Sequence, residues 1–139
     1  ALMDRDPNFQ TDRTVSALLD FGDGRRLEFT VSTQSAPYQR VHLVGTRQRL
    51  EIEVPFNAPA NGITRLFTDD GTLPAGGHAV EHILPACDQY SLEGDAFSQA
   101  IRDDIPLPYG VEDAIQNMHI IDALFRSEQS GKWEMLRQA

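Results

Sequence analysis

The stretch STQSAPYQRVHLVGTRQRLEIEVPFNAP, residues 32–59, decides the fold. Apolar side chains stand at alternate positions on both sides of a Gly-Thr-Arg turn: Val41, Leu43, Leu50, Ile52 and Val54. A period of two is typical of half-buried β-strands with one apolar and one polar face. Gly45 supplies the backbone freedom that a turn needs, and Pro55 and Pro59 end the second strand because proline cannot donate to a ladder. The stretch predicts a β-hairpin that serves as scaffold rather than catalyst.

The same alternation predicts further strands at residues 1–3, 14–21, 25–32, 63–68 and 79–84. In the second of these, Val15, Ala17 and Leu19 share one face and Leu18 lies on the other. Glycines flank Asp23, which is a strong hairpin signal because glycine accepts the positive φ values of tight turns. Short connections favour antiparallel neighbours, since parallel strands need long crossovers. Residues 133–136 are predicted to return as a short edge strand.

After Pro85 the apolar period becomes helical. Tyr90, Phe97 and Ile101 are spaced as on one helix face, and Gly94 is expected to interrupt that helix. A second helix is predicted from residue 112, where acidic side chains suit the positive end of the dipole, to residue 130. Strands followed by helices predict an α+β fold: one open, largely antiparallel sheet of about six strands, with two C-terminal helices packed on one face. We expect residues 1–139 to form a single domain.

The composition argues against several classes of function. The 139 residues are 40% hydrophobic, which is enough to bury the core of one domain. A net charge of −9 argues against a nucleic-acid partner, because phosphate binding needs clustered cations. The lone Cys87 excludes an internal disulfide, and we expect a reducing, cytoplasmic location. The sequence shows no apolar run long enough to span a membrane and no secretory leader, so we predict no membrane partner. The chain begins without methionine, and we expect a fragment or processed product.

The four histidines do not predict a metal site. His78 and His82 are four residues apart, but they lie in or beside a predicted strand and not on a helix face. Common zinc sites need two further Cys or His ligands at characteristic spacing, and only His42 and His119 remain.

No catalytic or cofactor-binding residue is predicted in the chain. Cys87 is either a small packed thiol, which we favour, or a nucleophile activated by a histidine. The acidic pairs are sequence neighbours in turns and at helix ends, whereas paired hydrolytic carboxylates face each other across a cleft. The glycines lack the strand-turn-helix context of a nucleotide-binding loop.

Three polar residues at the start of the hairpin are candidate substrate-binding residues: Gln34, Tyr38 and Arg40. They precede the central strand, where a sheet edge can meet a ligand. Arg40 can pair with an anionic group of a ligand, or with Glu51 or Glu53 on the neighbouring strand. We favour the cross-strand role.

The chain resembles the C-terminal domain of the Gfo/Idh/MocA (glucose-fructose oxidoreductase / inositol dehydrogenase / rhizopine catabolism) family. The matching residues follow the family's order along nearly the whole chain. They are residues 5–7, 12–13, 32–34, 37–41, 45–46, 50–53, 55–59, 88–90, 97, 100–101, 112–114, 117–118, 121–124 and 127.

The resemblance implies part of an NAD(P)-dependent sugar or polyol dehydrogenase. In this family a Rossmann domain binds NAD or NADP, and an α/β domain of the dihydrodipicolinate-reductase-like type walls the substrate site. The family's Gly-rich cofactor turn, its Glu-Lys-Pro lysine and the motif carrying its catalytic Asp and His precede the matched part and are absent here. The resemblance therefore implies that this chain binds no cofactor and is inactive alone.

Self-association is the expected partner interaction. A sheet covered by helices on one side leaves its other face open, and large exposed apolar faces mark interfaces. Leu18, Val44 and Leu66 add apolar side chains to the second face, so we predict a homo-oligomer. Two alternatives remain. One is a stand-alone, self-associating module without a redox role; the other is a small sheet-based hydrolase or cyclase with a pocket at His42, His82 or Cys87.

Overall fold

The computed structural model describes residues 1–136 and contains seven strands followed by two helices. The strands are β1 (Leu2–Arg5), β2 (Asp12–Asp20), β3 (Arg26–Ser32), β4 (Val41–Val44), β5 (Arg49–Ile52), β6 (Thr64–Asp69) and β7 (Val80–Leu84). The helices are α1 (Gln89–Asp103) and α2 (Val111–Ser130). All strand pairs are antiparallel, so the predicted α+β class is confirmed.

The strands form two sheets and not the single six-stranded sheet that we expected. One has the order β1-β2-β3 and the other the order β4-β5-β6-β7. The segment between β3 and β4 contains Pro37, which cannot donate to a ladder, and Gln34 turns its backbone N–H back to Ser32 Oγ at 3.1 Å. Contacts divide the chain into two units, residues 1–36 with the residues from 108 onward, and residues 37–107. The single-domain expectation stays a prediction.

The first unit is built around β2. Val15 lies opposite Met3 of β1 and Val31 of β3, and both Val15 and Ala17 are buried. Ala123 of α2 is buried as well, so the predicted apolar face of β2 does lie in the core.

Two polar contacts fix β1 to the C-terminal part of α2. The backbone nitrogen of Ala1 donates to Ser127 Oγ at 2.7 Å, and Arg5 Nη2 donates to Glu128 Oε2 at 3.2 Å. The β2–β3 turn has the predicted left-handed glycines, with φ of 76° at Gly22 and 77° at Gly24.

The second unit presents an apolar face on its four-stranded sheet. The register aligns Leu43, Leu50, Thr68 and Val80 in one row, and Val41, Ile52, Leu66 and His82 in the next. We call these eight residues the apolar face. Leu43 and Val80, on the two outer strands, are each 55% exposed, whereas Leu50, Ile52 and Leu66 are half-buried, so this face is only partly covered in the described chain.

Helix α1 is continuous through Gly94, which corrects the expected interruption. Asp88 caps its first turn by accepting hydrogen bonds from Tyr90 N and from Ser91 Oγ. A single glycine costs only about 1 kcal/mol in a helix, which a good cap offsets. No residue of α1 is buried, in contrast to the expected packing of both helices on a sheet face.

The predicted edge strand at residues 133–136 is wrong. After α2 ends at Gly131 (φ 64°), side chains of the helix take up carbonyl groups of the tail. Ser127 Oγ donates to the carbonyl of Lys132 at 2.8 Å, and Arg126 Nη2 donates to that of Met135 at 3.3 Å. These carbonyls are therefore bonded locally and not to a strand ladder. Neither α1 nor α2 has a stretch of sufficient length and hydropathy to span a bilayer, in the part of the chain that is described.

Candidate functional site

The charged side of the four-stranded sheet holds two of the three predicted site residues. Arg40 Nε donates to Tyr38 Oη at 3.4 Å, and its Cζ lies 5.8 Å from the centre of the Tyr38 ring. Arg40 Nη1 lies 3.2 Å from Glu51 Oε1 and 3.7 Å from Glu53 Oε1, in an orientation that makes no hydrogen bond within residues 1–136. The hydrogen bond to Tyr38, with the two carboxylates, raises the pKa of Arg40. Arg40 thus has the cross-strand partners expected for it, while its substrate role stays a prediction.

An ion-pair ladder continues from Arg40 across the sheet. Arg65 donates to Glu53 twice, with Nε 2.7 Å from Oε2 and a second hydrogen bond from Nη2 to Oε1. Arg65 Nη1 also lies 3.6 Å from Glu81 Oε1. Charges therefore alternate from the segment before β4 to β7. Bonding to Arg65, followed by the charges of Arg65 and Arg40, lowers the pKa of Glu53 below 4.5 despite opposing desolvation.

The ladder predicts an acid-dependent part of the stability. Because the folded pKa of Glu53 is lowered, its contribution is fully present above its unfolded pKa near 4.5 and is lost as the pH falls through the lower folded value. We expect Glu53→Gln to lower the denaturation midpoint at pH 7, and this difference to vanish below that window. Denaturant titrations from neutral to acid pH test this, with Glu93→Gln on α1 as the exposed control. A difference that persists at the acid end would contradict it.

Gln34 belongs to the first unit, whereas Tyr38 and Arg40 belong to the second unit. Its side-chain nitrogen donates to Thr33 Oγ1 at 3.2 Å, which is a local contact within the segment after β3. Each unit holds part of the predicted substrate-binding set. The set therefore stays a prediction.

The histidines and Cys87 are not brought together. His42 lies opposite Glu51 on the charged side of the sheet, whereas His82 belongs to the apolar face and bonds Thr68 Oγ1 through Nε2 at 2.8 Å. His78 Nδ1 lies 3.0 Å from Asp70 Oδ2 in the β6–β7 loop. Cys87 is exposed, so the favoured prediction of a packed thiol is wrong. Within residues 1–136, no three His, Cys, Asp or Glu side chains are grouped to hold a metal ion.

A groove of about 850 Å³ lies in the first unit, and sequence reasoning missed it. Its walls come from the start of β1, the middle of β2 and β3, and the tail after α2. Polar groups of Ser16, Glu28 and Thr30 line it beside Leu18 and Trp133. The available signal was Leu18, an apolar side chain on the polar face of β2.

The whole-chain comparison decides the family. A sequence profile described as "Oxidoreductase family, C-terminal alpha/beta domain", that of the Gfo/Idh/MocA oxidoreductases, matches residues 3–136. The chain belongs to this family. The resemblance inferred from ordered short motifs is thereby confirmed.

Two curated Gfo/Idh/MocA relatives extend the match. The chain is 37% identical over 134 residues to "Uncharacterized oxidoreductase ORF334" of Rhizobium meliloti, covering 96% of this chain and 40% of that protein. It is 27% identical over 122 residues to "D-xylose 1-dehydrogenase (NADP(+)) 2" of Haloferax volcanii, covering 86% of this chain and 35% of the relative. The chain thus spans about two fifths or less of each relative's length.

The residues of this Gfo/Idh/MocA domain do not fit a dinucleotide. A pyrophosphate is commonly held at a helix N-terminus, where backbone N–H groups are free. In α1 that position is taken by the carboxylate of Asp88, and α2 begins with Glu112 and Asp113. An anion would meet negative charge at either helix, so no cofactor role is assigned to the described residues.

Proposed function

We propose that the chain is the substrate-site and oligomerisation domain of an NAD(P)-dependent sugar or polyol dehydrogenase. The observation that carries the proposal is the family match over residues 3–136. The NADP-linked xylose dehydrogenase among the relatives supports a sugar substrate. The cofactor and the catalytic residues then belong to the rest of the polypeptide, and the reaction is hydride transfer between a carbinol carbon and the nicotinamide.

The test compares the full polypeptide with the 139-residue chain. Both are assayed with NAD and NADP against D-xylose, other aldoses and inositol, by the absorbance of the reduced nicotinamide. We expect turnover by the full polypeptide and none by the chain alone. An inactive but folded full polypeptide would overturn the dehydrogenase proposal and leave a self-associating module.

We propose that Tyr38, one of the three predicted substrate-binding residues, meets a sugar hydroxyl. Its side chain is 76% exposed and its hydroxyl is already oriented by Arg40 Nε. Such an oriented hydroxyl can accept from or donate to a sugar at little further ordering cost.

We expect Tyr38→Phe to raise the KM of the full polypeptide for its sugar by about 2- to 10-fold, the equivalent of one neutral hydrogen bond of about 0.5–1.5 kcal/mol. If this hydrogen bond is made equally to the bound substrate and in the transition state, its loss raises KM and leaves kcat little changed. Tyr90→Phe on α1 is the matched control. Equal KM values for wild type and Tyr38→Phe would remove Tyr38 from the site.

The oligomerisation part of the proposal rests on exposed surface. The chain has an accessible surface of 11406 Å² for a mass of 15.5 kDa. Two independent globular units of half that mass would expose only about 8,700 Å² in total. The excess is larger than the roughly 800 Å² that each partner buries in a standard interface. The apolar face is the surface that we propose a second copy covers.

We expect Leu43→Lys to weaken self-association of the chain by at least about tenfold, because a buried leucine contributes about 1.5–3 kcal/mol. His42→Lys is the matched control, since His42 is the neighbouring residue on the charged side. Sedimentation equilibrium over a micromolar range measures both. Equal dissociation constants would place the interface elsewhere.

A further inference from the structure

The edge of the three-stranded sheet has a notch beside β2. β2 has nine residues and β1 has four, and their register runs from Leu2 opposite Ser16 to Arg5 opposite Asp12. On its other side β2 is paired with β3 as far as Asp20. Within residues 1–136, residues 17–20 therefore have a strand partner on one side only. Alternate residues of this stretch turn their backbone N–H and C=O toward the empty position, which is a template for another strand.

The groove of the first unit lies at this notch. Ala1, Leu2, Ala17 and Leu18 form its β1–β2 wall, and the tail at Trp133 lies on another side. Leu18 is 46% exposed, and Glu28 and Thr30 on the same face of β3 are exposed as well. The groove is thus a space next to an unpaired strand edge, with an apolar side chain in its wall.

We propose that the residues immediately preceding Ala1 in the full polypeptide occupy this notch as an extension of β1. The inference rests on the proposed function, in that it takes the chain as the C-terminal part of a longer oxidoreductase. The family profile describes a C-terminal domain, and the matched regions cover only 40% and 35% of the relatives. Ala1 itself lines the groove, together with Ser127 of α2. A chain arriving there meets the free edge of β2.

The β1–β2 register determines which residue of the proposed extension lies opposite each residue of β2. Continuing the antiparallel pairing from Leu2 and Ser16 sets Ala1 opposite Ala17 and the residue before Ala1 opposite Leu18. The second residue before Ala1 then lies opposite Leu19. Because side chains alternate between faces, that second residue shares the face of Val15 and Ala17 and is expected to be apolar.

Disulfide trapping in the full polypeptide tests the register. The residue before Ala1 and Leu18 are both changed to cysteine, with Cys87 and any other cysteine replaced by serine. Directly opposed antiparallel residues come close enough for a disulfide, so we expect an intramolecular bond under mild oxidation. Pairing the same first cysteine with Asp20→Cys, two residues along the same face, is the control, and should give at least about tenfold less of the bond. Equal yields, or a bond between two polypeptides at Leu18→Cys alone, would overturn the proposal.

Hydrogen exchange supplies an independent readout. We expect alternate amides in residues 17–20 to exchange at least about tenfold more slowly in the full polypeptide than in the 139-residue chain. Equal exchange would overturn the extension, and protection that grows with concentration of the 139-residue chain would assign the notch to a second copy. A trapped bond together with an inactive wild-type full polypeptide would overturn the dehydrogenase proposal while leaving this inference intact.

Discussion

Ala17→Asp is expected to destabilise the chain by about 3 kcal/mol or more, because a carboxylate placed in an apolar core has neither water nor a cation to stabilise it. Ala17 is 9% exposed at the centre of β2, on the face that also buries Val15. Its partner across the sheet, Phe29 of β3, is apolar, and the same unit buries Ala123 of α2. Since the free energy of unfolding of a domain is about 5–15 kcal/mol, the variant would lose a large fraction of its stability.

Leu18→Asp is the control for this experiment. Leu18 is the next residue of β2, on the opposite face, and nearly half exposed. The same carboxylate stays hydrated there, so we expect a loss of about 1 kcal/mol or less. Guanidinium denaturation of the 139-residue chain measures both variants. Equal losses would mean that the two faces of β2 are wrongly assigned.

Arg49→Met is expected to cost about 2 kcal/mol, because it leaves Asp69 without its cation. Arg49 Nη2 lies 3.5 Å from Asp69 Oδ2, and the side chains are 39% and 3% exposed respectively. Asp69 Oδ1 accepts from the backbone N–H of Gly71 at 2.8 Å, while Oδ2 has no hydrogen-bond partner in residues 1–136. The half-exposed arginine keeps the loss below the roughly 3–5 kcal/mol typical of breaking a fully buried pair.

Arg47→Met is the matched control, since Arg47 is an exposed arginine in the preceding turn and should lose less than about 0.5 kcal/mol. The double variant Arg49→Met with Asp69→Asn should recover part of the loss, because the asparagine amide is neutral and leaves no buried charge without a partner. Chemical denaturation at neutral pH gives the free energy of unfolding of the wild type and of the three variants. If Arg49→Met and Arg47→Met lose the same free energy, the Arg49–Asp69 pair does not stabilise the sheet.

The β6–β7 loop, which approaches the Arg49–Asp69 pair, needs glycine at position 76. Its φ of 76° is left-handed, and a Cβ added there would collide with Nη2 of Arg49. A side chain at this position would both strain the backbone and displace the guanidinium from Asp69.

Local periodicity predicted the elements well. The alternation around Val15 and around Leu43 gave strands within one or two residues of the observed bounds, and the helical spacing of Phe97 and Ile101 gave α1. Such patterns follow from which side chains share a face, and this depends only on their order along the chain. The family was also recoverable from ordered motifs, and the profile match over residues 3–136 confirms it.

The candidate site was predicted less completely. Arg40 was expected to pair with Glu51 or Glu53, and the structure places it near both, with Tyr38 as its hydrogen-bond acceptor. These partners could be predicted from the sequence because the two strands of a hairpin are always adjacent. The groove at Ser16 and Trp133 was missed, since its walls come from segments more than a hundred residues apart.

The sequence by itself determined the seven observed strands, the β2–β3 turn, the two helices and the family, because each is specified by residues close together or by motif order. Only the tertiary structure decided that the strands form two sheets, that α1 runs through Gly94 with no buried residue, and that the tail after Gly131 bonds to side chains of α2. These outcomes depend on competition between remote backbone and side-chain partners. The arrangement of lowest free energy decides between these partners, and the periodicity of the sequence does not reveal which arrangement that is.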